Sequence, residues 1–147
     1  MLSKRLEQVA SMVTKGNIIA DIGTDHGYVP IYLVEKGICP KAYAMDINQG
    51  PIESAIKNIE NYGLSEKIQA IKSNGLEKLE PEKADTIIIA GMGGELIVNI
   101  LENGLAKLEN CSRPVKELVL SPHKRGDLVR KYLEEHKWHI TDEKMLI

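Results

Sequence analysis

The chain has 147 residues, 43% of them hydrophobic and 27% charged, with a formal net charge of −2. This composition fits one ordinary globular domain and excludes a disordered chain. No apolar stretch approaches the roughly 20 residues of a membrane-spanning helix, and residues 1–7 are amphipathic, unlike a signal peptide. A purely electrostatic DNA binder would be basic, so any polyanion contact must be a local patch. Cys39 and Cys111 stand far apart without His or Cys neighbours, so we expect no metal site, no disulfide framework and a cytoplasmic location.

Apolar residues recur at helical spacing from Leu2 to Val13, which predicts an amphipathic first helix ending near Gly16. Its other side carries Lys4 and Arg5. These two cations are either a solvated face or contacts to a cofactor or an RNA backbone.

The stretch around which the chain is organised begins with Ile18–Ile22, an apolar run typical of a strand buried on both faces. Gly23 ends it, and Gly27 precedes a helix predicted over 28–36, so free backbone N–H groups meet a positive helix end. The pattern Asp-x-Gly-x-Asp-x-Gly over 21–27 fails the dinucleotide pattern G-x-G-x-x-G. It resembles the first motif of class I S-adenosylmethionine (SAM) methyltransferases, with Asp25 in place of the middle glycine. That carboxylate would repel a pyrophosphate but could hold the cationic methionine end of SAM; the alternative is an ordinary tight turn.

Two further strands are predicted to end beside this turn. The strand over 41–46 ends in Asp46, 25 residues beyond Asp21, as expected of an acid that binds ribose hydroxyls. A surface aspartate at a strand end is the alternative. A helix opens at Gly50-Pro51, and a strand over 68–73 precedes Asn74, an amide where SAM enzymes commonly have an acid for the adenine amino group.

The fourth strand, over 84–90, is apolar and is followed by the glycine-rich segment 91–94 and a helix predicted over 95–108. This edge is the usual substrate side of such enzymes; a glycine turn without chemical role is the alternative. A fifth strand is predicted over 117–123, and the alternation in 138–147 predicts a sixth. Strands alternating with helices predict an α/β fold with a doubly wound, mostly parallel sheet.

A basic cluster follows the fifth strand, on a helix whose other side is apolar. It is either a solvated face or a phosphate patch. Its members are Lys124, Arg125, Arg130 and Lys131.

With these motifs placed, the chain resembles the bacterial SAM-dependent tRNA (adenine(22)-N(1))-methyltransferases. The resemblance covers nearly the whole chain and is carried by residues 2–6, 20–33, 50–51, 61–64 and 84–94. Gly-Thr-Asp-His at 23–26 and Ala-Gly-Met-Gly-Gly at 90–94 are specific to that family. The resemblance implies a Rossmann-like class I methyltransferase domain over 1–147, SAM as cofactor and tRNA as partner.

The chain departs from the family pattern in two places and in length. Asn74 stands where the family has Asp, and Ser121-Pro122-His123 where it has Gln-Pro-Asn. The family continues with an antiparallel strand beside the fifth and a coiled-coil domain, and neither is in these 147 residues. We therefore expect weaker tRNA binding than in a longer relative, and an open sheet edge that invites a homodimer or a swapped contact.

Pattern and resemblance together predict the site residues. Asp25 is the candidate catalytic residue, stabilising positive charge on the methylated adenine, and His123 is the second, as proton acceptor. Predicted cofactor contacts are Asp21, Gly23, Thr24, Asp25, His26, Gly27, Asp46, Ile47, Asn74, Gly75, Ala90, Gly91, Met92 and Gly93. Predicted RNA contacts are Arg5, Tyr28, Lys124 and Arg125. The alternative functions are a non-catalytic SAM-binding or interaction module, and a methyltransferase acting on DNA or a small molecule.

Overall fold

The computed structural model describes residues 2–143 and contains a five-stranded parallel sheet in the order β3-β2-β1-β4-β5. The strands are β1 (Ile19–Ile22), β2 (Ala42–Asp46), β3 (Ile68–Lys72), β4 (Thr86–Met92) and β5 (Glu117–Pro122). The helices are α1 (Lys4–Ser11), α2 (Tyr28–Glu35), α3 (Gln49–Asn61), α4 (Gly94–Gly104), α5 (Ala106–Glu109) and α6 (Gly126–Glu135). The predicted α/β class, the doubly wound arrangement and the first five strands are confirmed.

The sheet separates two apolar cores because successive strand residues point to opposite faces. In β1, Ile19 joins the core under α1, α2 and α3, whereas Ala20 and Ile22 join the core under α4, α5 and α6. In β4, Ile88 faces the first core and its neighbour Ile87 the second. Both central strands are therefore covered on both faces, as their continuous apolar sequences predict.

Asp85 fixes the start of the two central strands. Its carboxylate accepts the backbone N–H of Ile18 at 2.8 Å and two hydrogen bonds from Arg113, at 2.9 and 2.7 Å. Burial alone would raise the pKa of Asp85, but these hydrogen bonds and the charges of Arg113 and Lys116 outweigh it and lower the pKa below its usual value. These contacts hold the N-terminal ends of β1 and β4 side by side, where Ile19 pairs with Thr86.

Three predicted boundaries are wrong. The predicted fourth strand continues beyond Ala90 to Met92 through an irregularity at Gly91, because Met92 still pairs with Pro122 of β5. The single helix predicted over 95–108 is broken between α4 and α5, where Gly104 packs directly against Leu76. The first helix ends at Ser11 rather than near Gly16.

The predicted sixth strand is not found in residues 138–143, and the rest of that prediction, residues 144–147, lies outside the described residues. Trp138 packs against the second core, whereas Ile140 is half exposed. The alternation in this segment therefore reflects one partly buried and one exposed apolar residue rather than a pleated strand. A contact with a second chain at the outer edge of β5 stays a prediction.

Neither a membrane-spanning helix nor a metal-binding group of side chains occurs in residues 2–143: every helix there is too short or too polar to cross a bilayer, and no three His, Cys, Asp or Glu side chains converge.

The loop after β5 is docked on the start of α4. The backbone N–H of Gly94 donates to the carbonyl of Lys124 at 2.8 Å, and the N–H of His123 donates to the carbonyl of Met92 at 3.0 Å. A Cβ atom at Gly94 would overlap the carbonyl oxygen of Arg125. The close approach of the two backbones therefore requires glycine at this position.

We expect Gly94→Ala to lower the free energy of unfolding by about 1–3 kcal/mol, because the added methyl group forces the 123–125 loop away from α4. Gly50→Ala is the matched control: Gly50 lies in α3 with open space around its Cα, so alanine there should be neutral or stabilising by up to about 1 kcal/mol. Urea unfolding midpoints compare the two variants. Equal midpoints would mean that the loop is not held at Gly94.

Candidate functional site

A cavity of about 540 Å³ opens where β1, β2, β3 and β4 end. The chain runs from β1 outward to β3 and returns to the other side of β1 with β4, so the cavity lies at the point where the strand order reverses. Three cavities of similar volume lie beside β3, beside β5, and between α4 and the loop that follows β3. The first two lie along the edges of the sheet and none of the three lies at this reversal, so we take the central cavity as the candidate site.

Thirteen of the predicted site residues line this cavity: Arg5, Asp21, Gly23, Thr24, Asp25, Tyr28, Asp46, Ile47, Asn74, Gly75, Ala90, Gly91 and Met92. The structure does not place His26, Gly27, Gly93, His123, Lys124 or Arg125 on its wall.

The turn after β1 alternates between left-handed and other backbone conformations. Gly23, Asp25 and Gly27 have φ values of 77°, 59° and 77°. Aspartate tolerates the left-handed region better than most residues, because its short side chain can hydrogen-bond locally. Asp25 can therefore take the place of the middle glycine in the first motif of class I SAM methyltransferases. A Cβ at Gly23 would lie 2.5 Å from Cε of Met92, the end of a flexible side chain that can move away. The positive φ is therefore the stronger reason for glycine at this position.

Asp46 is held at the tip of β2 by two backbone groups. Its Oδ2 accepts the N–H of Asp25 at 3.2 Å, and its Oδ1 accepts the N–H of Asn48 at 3.0 Å. Each carboxylate oxygen has a further lone pair. The arrangement can accept two hydroxyl groups of a vicinal diol, one on each oxygen.

Asp21 is the buried acid of the site. Its pKa is raised to about 7, chiefly by burial and to a lesser extent by the charge of Asp46, while the Thr24 hydroxyl partly opposes both effects. Within residues 2–143, Thr24 Oγ1 is the buried side-chain polar atom that makes no hydrogen bond of normal geometry. A buried acid and, beside it, a buried hydroxyl without a well-formed hydrogen bond suit a polar, cationic ligand group at this cavity wall.

Two cationic side chains lie over the glycine-rich segment 91–94, at the end of β4 and the start of α4. Nη2 of Arg5 is 3.7 Å from the position that a Cβ of Gly91 would take, and Cε of Lys124 is 3.1 Å from that of Gly93. Arg125 is engaged differently, because its guanidinium pairs with Asp127 at 3.1 Å and with Glu95 at 3.8 Å. Lys124 and Arg125 lie in the loop between β5 and α6 and not on the helix where they were predicted. Of these two predicted RNA contacts, Lys124 is thus the better placed to meet a ligand.

The remaining predicted residues lie beside the cavity. Nδ1 of His26 is 2.7 Å from Oγ of Ser54 on α3, and Gly27 packs against Ala55. The exposed ring of His123 lies over Gly93, with Cε1 3.8 Å from that glycine's Cβ position.

Sequence reasoning missed nine lining residues. Leu96, Asn99 and Ile100 lie on one face of α4, and their i, i+3, i+4 spacing is the signal that could have found them. The other six are Leu6, Ile22, Val29, Asn48, Pro51 and Ser73.

Comparison with known proteins gives consistent matches along the chain. A family model described as "Methyltransferase domain" matches residues 2–147. The tRNA (adenine(22)-N(1))-methyltransferase of Bacillus subtilis is 40% identical over 99% of this chain and 59% of its own length. Sp1610 of Streptococcus pneumoniae, solved in complex with S-adenosyl-L-methionine, is 48% identical to this chain and superposes with a TM-score of 0.94. The match covers 100% of this chain and 67% of the Sp1610 chain.

M. capricolum TrmK, solved in complex with S-adenosyl-homocysteine, is 37% identical to this chain and has a TM-score of 0.89. The match covers 100% of this chain and 63% of the TrmK chain. The chain spans less than two thirds of the length of the curated tRNA methyltransferase relatives it matches. The resemblance predicted from the sequence motifs is confirmed.

The buried acid makes stability depend on pH. With a pKa of about 7 in the folded protein against the ordinary 3.8, Asp21 keeps a proton that the unfolded chain releases. The free energy of unfolding should therefore fall as pH rises from about 4 to 7, by as much as about 4 kcal/mol at about 1.4 kcal/mol per pKa unit. Asn imitates the protonated carboxyl, so Asp21→Asn should be more stable than the parent at pH 8 and equal to it at pH 4.

Denaturant unfolding across this pH range measures the difference, with Asp142→Asn at an exposed position as control. If the Asp21→Asn and parent curves run parallel from pH 4 to 8, the acid is ionised without cost in the folded state.

Proposed function

The chain belongs to the methyltransferase-domain family, and from that premise we propose that it transfers a methyl group from SAM to N1 of an adenine in tRNA, at position 22. The observation that carries the proposal is the buried carboxylate of Asp46, fixed by two backbone N–H groups on the wall of the β1–β4 cavity. The B. subtilis relative named for this reaction supports the choice of substrate.

The residues of the cavity fit SAM. Asp46 would accept the two ribose hydroxyls, and the buried carboxylate of Asp21 would face the methionine ammonium group, whose positive charge favours the ionised acid. Ile47, half exposed at the mouth, offers an apolar face to the adenine ring. Asn74 offers an amide oxygen to the adenine amino group, and the backbone of Gly75 adjoins it. When bound, SAM supplies a methyl group on a cationic sulfur atom.

The chain's own contribution to the reaction is positioning and charge. The target base must leave its stack to reach the cavity, and the half-exposed ring of Tyr28 at the mouth offers a stacking surface for it. Methylation at N1 places positive charge on the adenine ring, which the carboxylate of Asp25 stabilises. His123 remains the candidate proton acceptor, and from its place beside Gly93 it would reach atoms at the mouth only.

The proposal extends to the surroundings of the site. Residues 1–147 would form the methyltransferase domain of a cytoplasmic enzyme whose partner is tRNA. Arg5 and Lys124 would bind phosphates on either side of the extruded adenine, because they lie over Gly91 and Gly93 and carry no ion pair within residues 2–143.

The deciding experiment is methyl incorporation from labelled SAM into unmodified tRNA, followed by nucleoside analysis. We expect 1-methyladenosine at position 22 and none in a matched tRNA with guanine there. SAM binding is measured in parallel by calorimetry, and Asp46→Ala should abolish it. SAM binding without incorporation would favour the non-catalytic module, and incorporation only into DNA or a small molecule would favour the other enzyme.

The phosphate contacts predict a change in salt dependence. Each phosphate contact contributes a slope of about 0.7–0.9 to the plot of log affinity against log salt. Arg5→Gln and Lys124→Gln should each weaken tRNA binding and lower that slope by about this amount. Fluorescence anisotropy of labelled tRNA at increasing KCl concentration provides the slopes. Lys131→Gln, an exposed lysine on α6, is the control, and an equal loss in this variant would show a diffuse charge effect instead of two contacts.

A further inference from the structure

His26 was predicted to contact the cofactor, but its imidazole lies between two other polar groups. Nδ1 is 2.7 Å from Oγ of Ser54, and Nε2 is 3.6 Å from Oδ1 of Asp25. The ring thus connects α3 to the carboxylate at the mouth of the cavity. Nothing in the proposed function uses this connection.

The backbone of the turn is held to α3 independently of the imidazole. Asn58 donates a hydrogen bond from Nδ2 to the carbonyl of His26 at 2.9 Å, and Gly27 packs on Ala55. The backbone of the turn is therefore held without any contact from the imidazole ring. What Ser54 adds is an orientation of the ring.

The Asp25 carboxylate needs such an orientation. Its side chain is 70% exposed, so solvent alone leaves it free to turn. Electrostatic stabilisation of a transition state requires a charge that is already in place. The backbone N–H of Asp25 is bonded to Asp46, which fixes the main chain but not the carboxylate.

The chemistry of the ring favours one tautomer. A neutral imidazole carries one N–H, and its position follows from the hydrogen bond made by the other nitrogen. The Asp25 carboxylate facing Nε2 can only accept a hydrogen bond, whereas the Ser54 hydroxyl facing Nδ1 can donate or accept. The ring proton therefore favours Nε2, and Ser54 then donates to Nδ1. Nε2–H can then donate to Oδ1, at a separation of the kind that shortens when a ligand binds.

We propose that His26 is a positioning residue: Ser54 holds its ring by donating to Nδ1, and its Nε2–H orients the Asp25 carboxylate toward the adenine that is methylated. This inference rests on the proposed function. It assigns His26 to the reaction through Asp25 rather than to the cofactor.

Two substitutions separate the two nitrogens of the ring. In His26→Asn the amide reaches the position of Nδ1 and keeps the contact with Ser54, but nothing reaches Asp25. In His26→Gln the amide nitrogen can reach the position of Nε2. We expect kcat for tRNA methylation to fall about 10- to 100-fold in His26→Asn, to recover in part in His26→Gln, and the KM values for SAM and tRNA to stay unchanged in both.

A double-mutant cycle tests whether the effect passes through Asp25. If it does, His26→Asn combined with Asp25→Asn should have the same kcat as Asp25→Asn alone, because no carboxylate remains to be oriented. Multiplied losses, or a raised KM for SAM in His26→Asn, would overturn the proposal and return His26 to the cofactor.

A spectroscopic measurement needs no activity. ¹⁵N shifts of the imidazole in the full chain should show Nε2 protonated in the parent and in the control Ser65→Ala, and a mixture of tautomers in Ser54→Ala. An unchanged spectrum in Ser54→Ala would refute the inference even if methyl transfer is found. Conversely, the chain could show the expected spectra but transfer no methyl group to tRNA. That result would refute the proposed function and the positioning role of His26 in the reaction, and the Ser54 contact would then be structural only.

Discussion

The left-handed turn that follows β1 is the constraint on which the site depends. Two successive N–H groups, of Gly23 and Thr24, donate to the carbonyl of Met45, each at 2.9 Å, and the N–H of Asp25 donates to Asp46. The end of β1 is thereby tied to the end of β2 through three bonds. The turn can make them because its backbone is left-handed at Gly23 and Asp25. The position of Asp46 and the shape of the turn therefore determine each other, and neither could be changed alone.

Asp21, in the strand that leads into this turn, makes the ligand-free protein less stable than its packing would allow. Asp21 lies in a four-residue strand whose residues are all buried, and an apolar residue there would pack without desolvating a carboxyl group. A buried acid beside another acid is stabilised when a cation approaches. The cost of burying this carboxyl group therefore falls where a ligand can offset it. Such a loss of stability in favour of function is common at binding sites.

The sequence predicted the fold well because the strongest signals were local. Four buried strand residues, the glycines at 23 and 27, and acids at strand ends each follow from short-range chemistry, and the cavity does bring Asp21, Asp46 and Asn74 to one wall. The missed features depend on tertiary contacts. Nothing near Gly104 in the sequence indicates that Leu76 lies against it, and the spacing of His26 to Ser54 does not show that α3 passes beside the turn. The sixth strand is not found in residues 138–143, because the apolar–polar alternation of their sequence is not matched by alternating burial: Trp138 packs on the core, and residues 139–143 are all exposed.

The charges around the cavity are ordered by depth, and this order bears on selectivity. Asp21 and Asp46 are buried, Asp25 is exposed at the mouth, and the cations Arg5 and Lys124 lie over the glycines at the β4 side. Three carboxylates at the turn oppose the pyrophosphate of a dinucleotide, which glycine turns of the G-x-G-x-x-G type accept. They favour a cofactor whose reactive end is cationic. A polyanionic substrate can approach the same mouth only from the β4 side, where the glycines let Arg5 and Lys124 come close. In the proposed function, this separation of acidic and basic groups would keep the phosphates of the tRNA outside the cavity while one neutral base enters beside Asp25.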